Sequence, residues 1–289
     1  MKLVFITDLH VKSQSGVRTG DYLADIISKL EYVVEYTNSI DGLCVIGGDI
    51  FDSSTVNDAV KHRLISTLRK FKHVPYAIWG NHDMRYGGAD FNNMTSLGNL
   101  FVSGVLHELS YVDFGNFVLT GGGFKVETVG KPQIAVRHAL LNMPDTWAMQ
   151  LDDFTTEDKC IVLMGHDHTD YAEPLVIGDN IRVYRPGSLT RTKRVNEDLR
   201  IPRFLVIDTD TFRVESFSIP VARDFNDLFK LDVGMVVTED ATEIASYDEL
   251  IERISGSATK KLSFDECLSE VGGKDVVELI HRIEEEAKK

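Results

Sequence analysis

Short runs of consecutive apolar residues alternate along the chain with longer stretches in which apolar residues recur every three or four positions. KLVFI (2–6), LCVI (43–46) and YAIW (76–79) are too short for helices and rich in residues that favour strands. Between the first two, Tyr22, Leu23, Ile26, Ile27, Leu30, Val33 and Val34 follow the i, i+3, i+4, i+7 spacing of a one-sided helix over residues 20–38. Val56, Val60, Leu64, Leu68 and Phe71 do the same over 55–72. Strand, helix, strand, helix, strand predicts a sheet covered by helices. QIAVR (133–137), CIVLM (160–164), RVYR (182–185), RFLVI (203–207) and FRVESF (212–217) then follow, several of them separated only by turns such as IGDN (177–180). An α/β start and a β-rich second half predict two sheets packed face to face, with helices outside.

The pattern changes after Pro220. Residues 223–289 hold 17 acidic and 9 basic residues, a net of −8 in a chain whose total is −14. Amphipathic helices are expected at 246–254 and 275–287. The reading is therefore a domain over 1–220 and a small acidic helical or mixed appendage over 221–289, acting as a cap or a partner-docking segment. With 43% hydrophobic and 26% charged residues, the chain has the balance of a globular protein. No apolar run approaches the roughly 20 residues needed to span a bilayer. MKLVFITDLH lacks a signal-peptide layout, so no membrane association and a cytoplasmic location are expected. Cys44, Cys160 and Cys267 are too widely spaced for a disulfide framework or a zinc ribbon, and the first two are expected to be buried thiols. The acidic total argues against a protein that coats nucleic acid, yet leaves room for a local basic track.

Five apolar runs end in potential metal ligands. KLVFI is followed by Asp8 and His10, LCVI by Gly48-Asp49 and Asp52, and YAIW by Gly80-Asn81-His82-Asp83. QIAVR is followed by His138, and CIVLM by Gly165-His166-Asp167-His168. Ligands collect beyond the carboxyl ends of strands in α/β sheets, where loops converge. Asp8 with His10, and His166 with His168, have i, i+2 spacing, which on an extended backbone puts both side chains on one face. Imidazoles, carboxylates and one amide without thiolate suit Mn²⁺, Fe²⁺ or Zn²⁺. Seven candidate ligands (Asp8, His10, Asp49, Asn81, His138, His166, His168) are too many for one tetrahedral ion and suit two, with one carboxylate bridging.

This ordered set, spanning residues 8 to 168, resembles the calcineurin-like metallophosphoesterase superfamily. The resemblance implies a four-layer α/β/β/α sandwich with two divalent ions, Mn²⁺ foremost, with Fe²⁺, Zn²⁺ or Mg²⁺ as alternatives. It implies that Asp8, His10, Asp49 and His168 hold one ion, and Asp49, Asn81, His138 and His166 the other. A pair of such ions polarises a phosphate ester and supplies a nucleophile near neutral pH. His82 is then the expected proton donor to the leaving oxygen, with Asp83 fixing its tautomer.

The flanks distinguish branches of the superfamily. Ser53-Ser54 after Asp52, and Asp83 closing the third motif, disfavour a protein Ser/Thr phosphatase. GDIFD (48–52), GNHD (80–83) and YRPGSLTR (184–191), followed by RFLVIDTD (203–210) and IPV (219–221), are similar to SbcD-type DNA-repair nucleases. That implies a deoxyribonuclease, acting as exonuclease or endonuclease in repair, recombination or replication. DNA is its substrate, an SbcC-like ATPase its partner and a homodimer a further assembly. Arg182, Arg185, Arg191, Lys193, Arg194, Arg200 and Arg203 fall within 22 residues, and Arg185, Arg191, Lys193 and Arg194 are the expected DNA contacts. The alternative is a small-molecule or cyclic-nucleotide phosphodiesterase or phosphomonoesterase on the same site. Only about 69 residues follow Pro220, fewer than the cap and docking helices of SbcD-like proteins usually need.

Overall fold

The computed structural model describes residues 1–85, 92–192 and 200–229. Lys193, Arg194, Cys267 and the helices expected at 246–254 and 275–287 lie outside the described residues. The first compact unit is Met1–Lys230.

Two six-stranded sheets form the unit. In the first, β1 (Lys2–Ile6), β2 (Leu43–Ile46), β3 (Tyr76–Ala77) and β4 (His107–Glu108) are parallel neighbours, and β13 (Arg203–Asp208) and β14 (Arg213–Ser218) extend it antiparallel beyond β1. In the second, β6 (Val118–Gly121), β7 (Gln133–His138), β10 (Cys160–Gly165) and β12 (Ile181–Tyr184) are parallel. Its antiparallel edges are β5 (Tyr111–Asp113) and β11 (Leu175–Ile177). A ribbon of β8 (Leu140–Leu141) and β9 (Ala148–Met149) stands apart.

The continuous apolar runs exist because these strands are buried on both faces. Along β1, Val4 and Ile6 enter the cluster under the helices, while Leu3 and Phe5 enter the cluster between the sheets. On β10, Ile161 and Leu163 meet that same inter-sheet cluster, and Cys160, Val162 and Met164 point outward. Side-chain alternation thus sends each run into two cores. Cys44 and Cys160 are buried free thiols, as expected.

Helices α1 (Tyr22–Ser39) and α2 (Asp58–Leu68) start at Asp21 and Asn57, whose side chains accept from Ala24 N and Val60 N at 2.9 Å. Ile26, Leu30 and Val33 on α1 are fully buried against the first sheet, each worth roughly 1.5–3 kcal/mol of burial. A short α3 (Ser96–Val102) joins that layer, and α4 (Phe225–Leu228) lies near the end of the unit. Outside the second sheet, the apolar cluster draws on Leu141, Met149 and Phe154 of the β8–β9 ribbon and the turn after it, and on no helix among the described residues. The mixed α/β class and the two large sheets are as expected. No helix among the described residues is long and apolar enough to cross a membrane.

YAIW shows one difference. Only Tyr76–Ala77 form a strand, although Ile78 N still reaches Ile46 O at 3.1 Å. The chain turns early because Gly80 passes against Asp49: a Cβ at position 80 would lie 2.1 Å from Asp49 Oδ1.

Candidate metal centre

The candidate ligands come from five strand ends in both sheets: Asp8 and His10 after β1, Asp49 after β2, Asn81 after β3, His138 at the end of β7, and His166 and His168 after β10. The first two loops are zipped together, with Asp8 N bonded to Gly48 O (3.1 Å) and His10 N to Asp49 O (2.9 Å). The i, i+2 pairs do not converge through an extended backbone. Asp8 (φ 53°), His10 (φ 45°), Asp49 (φ 48°) and His166 (φ 85°) all occupy the left-handed region. Each such residue costs about 1–2 kcal/mol, and four of them meeting at one point indicate a constellation held by its surroundings.

The described carboxylates and imidazoles form three triads, with ligand atoms within 4.8 Å of one another in each. One is His10, Asp52 and His82; the two made of candidate ligands are Asp8, His10 and His168, and Asp49, His138 and His166. Asp49 Oδ2 stands between them, 3.6 Å from His10 Nε2 and 3.4 Å from His138 Nε2. Asn81 Oδ1 lies 3.0 Å from His138 Nε2, so the amide joins the second ligand triad. The structure therefore brings all seven candidate ligands together.

Whether these residues fit cations can be tested on the lone pairs. The Nε2 atoms of His10 and His168 face each other at 2.9 Å. His138 Nδ1 donates to Gly47 O at 2.8 Å, which in the neutral ring leaves Nε2 as a lone pair aimed at two oxygens, those of Asn81 and Asp49. Converging lone pairs repel unless a proton or a cation lies among them. Burial pushes His10 well below the usual imidazole range, and burial with His138 nearby pushes His166 down to about 4. Burial opposes ionisation of Asp49, yet His138, His10 and the His82 N–H outweigh it and hold the carboxyl well below the usual range. Burial likewise opposes charge on His138, but Asp49, Asp8 and Gly47 O raise it to about 9. That proton is the one a cation would displace. An ionised carboxylate among neutral imidazoles is the donor set of a divalent ion.

Other side chains fix these ligands. Thr7 Oγ1 donates to Asp8 Oδ2 (2.6 Å), and His166 N to the same carboxylate at 3.1 Å. Ser188, in the Pro-Gly-Ser segment after β12, donates its hydroxyl to Asp8 O (2.8 Å) and its N–H to His168 O (3.1 Å). One residue thus braces the first and the last ligand loops. Arg200 donates to His168 O and Ser188 O, both at 2.7 Å.

Several expectations need correction. Asp83 does not orient His82. It is fully buried, and its carboxylate accepts from the backbone N–H of Phe51 (2.9 Å), Ile50 (3.2 Å) and Gly80 (3.2 Å). Burial, aided by the Asp49 charge, pushes its carboxyl up to about 7 against those bonds. His82 is held instead by Asp52 O, to which Nδ1–H donates at 2.9 Å, and by its own N–H on Asp49 Oδ1 (2.9 Å). The ring is exposed and stands edge-on to His10, with centroids 4.9 Å apart. Arg191 is 1% exposed and donates to Arg223 O, so it cannot face a DNA phosphate. Arg185 is committed to Asp167 and Thr169 (2.6 Å each) and lies over the Tyr171 ring at 3.9 Å. These two arginines are parts of the fold, not of a surface track.

Asp52, which follows LCVI in the sequence but is not among the seven candidate ligands, pairs with Lys12 (3.0 Å) and lies 3.6 Å from His10 Nδ1. One residue near the ligands escaped the sequence reading. Trp147 packs edge-on against His138, with centroids 5.9 Å apart, and no local pattern announced it.

The family model of the calcineurin-like phosphoesterases matches residues 1–187. Similar solved structures include the TT1561 protein of Thermus thermophilus (8% identity, 75% of this chain and 98% of that one, TM-score 0.45). A 5′-nucleotidase precursor from the same organism has 12% identity over 78% of this chain and 55% of that one, with a TM-score of 0.44. NAD nucleotidase of Haemophilus influenzae has 10% identity over 90% of this chain and 56% of that one, with a TM-score of 0.41. No curated protein matches. Because the family model covers well over half of the chain, the protein belongs to the calcineurin-like phosphoesterase family, whose centres bind divalent metal ions.

Proposed function

We propose that this protein is a DNA phosphodiesterase of the SbcD type, using two divalent ions, with Mn²⁺ as the metal and an SbcC-like ATPase as partner. The observation that carries a two-ion phosphodiesterase is Asp49 Oδ2, standing 3.4–3.6 Å from an imidazole of each ligand triad. Asp8, His10, Asp49 and His168 would hold one ion, and Asp49, Asn81, His138 and His166 the other. Bound ions polarise the phosphate and lower the pKa of attacking water. The chain's own contribution is to orient and to move a proton. With Nδ1–H committed to Asp52 O, Nε2 of His82 is the atom that donates to the leaving alkoxide. Asp83 acts at one remove, by clamping the loops that carry Asp49 and Asn81.

The choice of DNA rests on the motifs GDIFD, GNHD and YRPGSLTR. Loss of Arg185 and Arg191 from the expected track favours the second reading, a small-molecule phosphodiesterase or phosphomonoesterase. The segment from residue 221 onward remains the proposed docking site for the ATPase; a homodimer is the other proposed assembly. One assay separates the readings: purified protein with Mn²⁺ on linear duplex, single-stranded circles and bis-(p-nitrophenyl) phosphate, with Asp49→Asn as control. Cleavage of DNA that is lost in the control supports the first reading. Intact DNA with the small ester hydrolysed overturns it in favour of the second.

A further inference from the structure

A cavity of about 290 Å³ opens beside the second ligand triad, and His138 forms part of its wall. Around it stand Trp79, Met84, Glu108, Phe124 and Trp147. The position of Trp147 is built rather than incidental. β7 ends at His138, and two residues later Leu140 N bonds Trp147 O at 2.7 Å, which fixes the indole beside the ligand. The indole lies edge-on to His138 (centroids 5.9 Å apart) and tilted 35° to His166 (6.2 Å). Phe124, 37% exposed, meets it edge-on at 5.6 Å. Between these rings the wall is open. Gly122 and Gly123 have φ of 74° and 68°, and a Cβ on either would meet nothing within 4 Å.

The charge of the wall decides what fits. The described lining residues include neither Lys nor Arg, and their one carboxylate, Glu108, accepts from Trp79 Nε1 at 2.6 Å. No Lys or Arg is there to hold a phosphate, whereas a flat uncharged ring would stack on the indole. The volume is close to the lower end of ligand pockets, roughly 300 Å³. Glu108 can also accept from an exocyclic amino group.

We propose that this cavity receives one nucleobase of the substrate, taken out of its stack, while the adjoining phosphate lies on the metal ligands. The inference rests on the phosphodiesterase reading and sharpens its substrate class to nucleotides with an unpaired base. A base inside a duplex cannot reach the cavity without leaving its partner, so single strands and frayed ends are the preferred DNA.

The test compares kcat/KM of wild type, Trp147→Ala and Trp147→Phe with Mn²⁺. The substrates are a single-stranded oligonucleotide, the same oligonucleotide made abasic throughout, and thymidine 5′-(p-nitrophenyl) phosphate. Trp147→Ala should lose roughly 5- to 150-fold on the base-bearing oligonucleotide, the range of one base–aromatic stack, and little on the abasic one. Trp147→Phe should recover most of that loss. Equal losses on base-bearing and abasic DNA would overturn the inference while leaving a nuclease in place. If no DNA is cleaved but the thymidine ester shows the loss and its recovery by Trp147→Phe, the nuclease reading falls and the base pocket stands for free nucleotides. Should Trp147→Ala fail to fold, a wild type that cleaves base-bearing and abasic DNA with equal kcat/KM would equally overturn it.

Discussion

Asp83→Asn separates a clamp from a catalytic partner. The carboxylate holds three buried N–H groups with two oxygens: Oδ1 accepts from Phe51, and Oδ2 from Ile50 and Gly80. An amide has one oxygen. Placed toward Ile50 and Gly80, it turns its NH₂ against the N–H of Phe51; flipped, it opposes the other two. At least one buried N–H loses its acceptor, which costs about 1–3 kcal/mol. At about 2–4 °C per kcal/mol for a domain of this size, the melting temperature should fall by roughly 2–12 °C. The measurement belongs near pH 8, where a carboxyl of pKa about 7 is mostly ionised. The loops released are those of Asp49 and Asn81, so the Mn²⁺ concentration needed for half-maximal activity should rise, with excess Mn²⁺ restoring part of the rate. The pH dependence of kcat/KM should keep its shape, because His82 leans on Asp52 O. An unchanged melting temperature with a displaced pH profile would refute the clamp and return Asp83 to the role of partner to His82.

Three further outcomes follow from the same geometry. Gly80→Ala places a Cβ 2.1 Å from Asp49 Oδ1 and 2.2 Å from Asp49 N, so it should displace the shared carboxylate and lower activity by about 100-fold or more; wild-type activity at saturating Mn²⁺ would contradict this. His82→Ala should bind Mn²⁺ as wild type does, measured by calorimetry, and lose about 10²–10⁴-fold in turnover; metal loss in step with activity would make it a ligand. Lys29 is fully buried on α1 with Asp25 at 2.9 Å, and burial lowers its pKa from 10.5 to about 8. The unfolded chain then holds more protons between those values, so Lys29 contributes stability that rises with pH through that window. Lys29→Met should flatten the rise by an amount on the order of 1–3 kcal/mol in urea unfolding at pH 8 and 10; parallel curves would refute the shift.

Much of this was legible in the sequence because it depends on local periodicity. Buried strands announce themselves as unbroken apolar runs, and the helices on them as 3.6-residue spacing. The short strands His107–Glu108, Tyr111–Asp113 and Leu175–Ile177 carry exposed residues, so no burial pattern marks them. The convergence of the candidate ligands was legible for a chemical reason: polar residues directly after buried strands must either be capped or be used. Side-chain roles inside those loops were not legible, because spacing says nothing of where a side chain turns. Asp83 follows His82 in sequence, yet faces the backbone of residues 50 and 51.

Two of the expected DNA contacts, Arg185 and Arg191, failed for a related reason, while Lys193 and Arg194 lie outside the described residues. A count of charges describes a surface only when the side chains reach it, and long cations can instead satisfy carbonyls inside a fold. Arg191 lies against the carbonyl of Arg223, Arg200 against those of His168 and Ser188, and Arg185 against Asp167, the residue between two ligands. Arg200 and Arg185 brace the histidine loop, as Ser188 does through its N–H on His168 O. Cations placed there raise the cost of moving His166 and His168, which suits loops whose left-handed backbone would otherwise relax. Without Arg185 and Arg191, DNA affinity would draw more on the two ions themselves and on stacking in the cavity beside Trp147, whose described lining holds no Lys or Arg. Binding of that kind has few phosphate contacts, so its salt dependence should be shallow, with a slope set by about one or two phosphates rather than by the roughly six to ten of a basic groove.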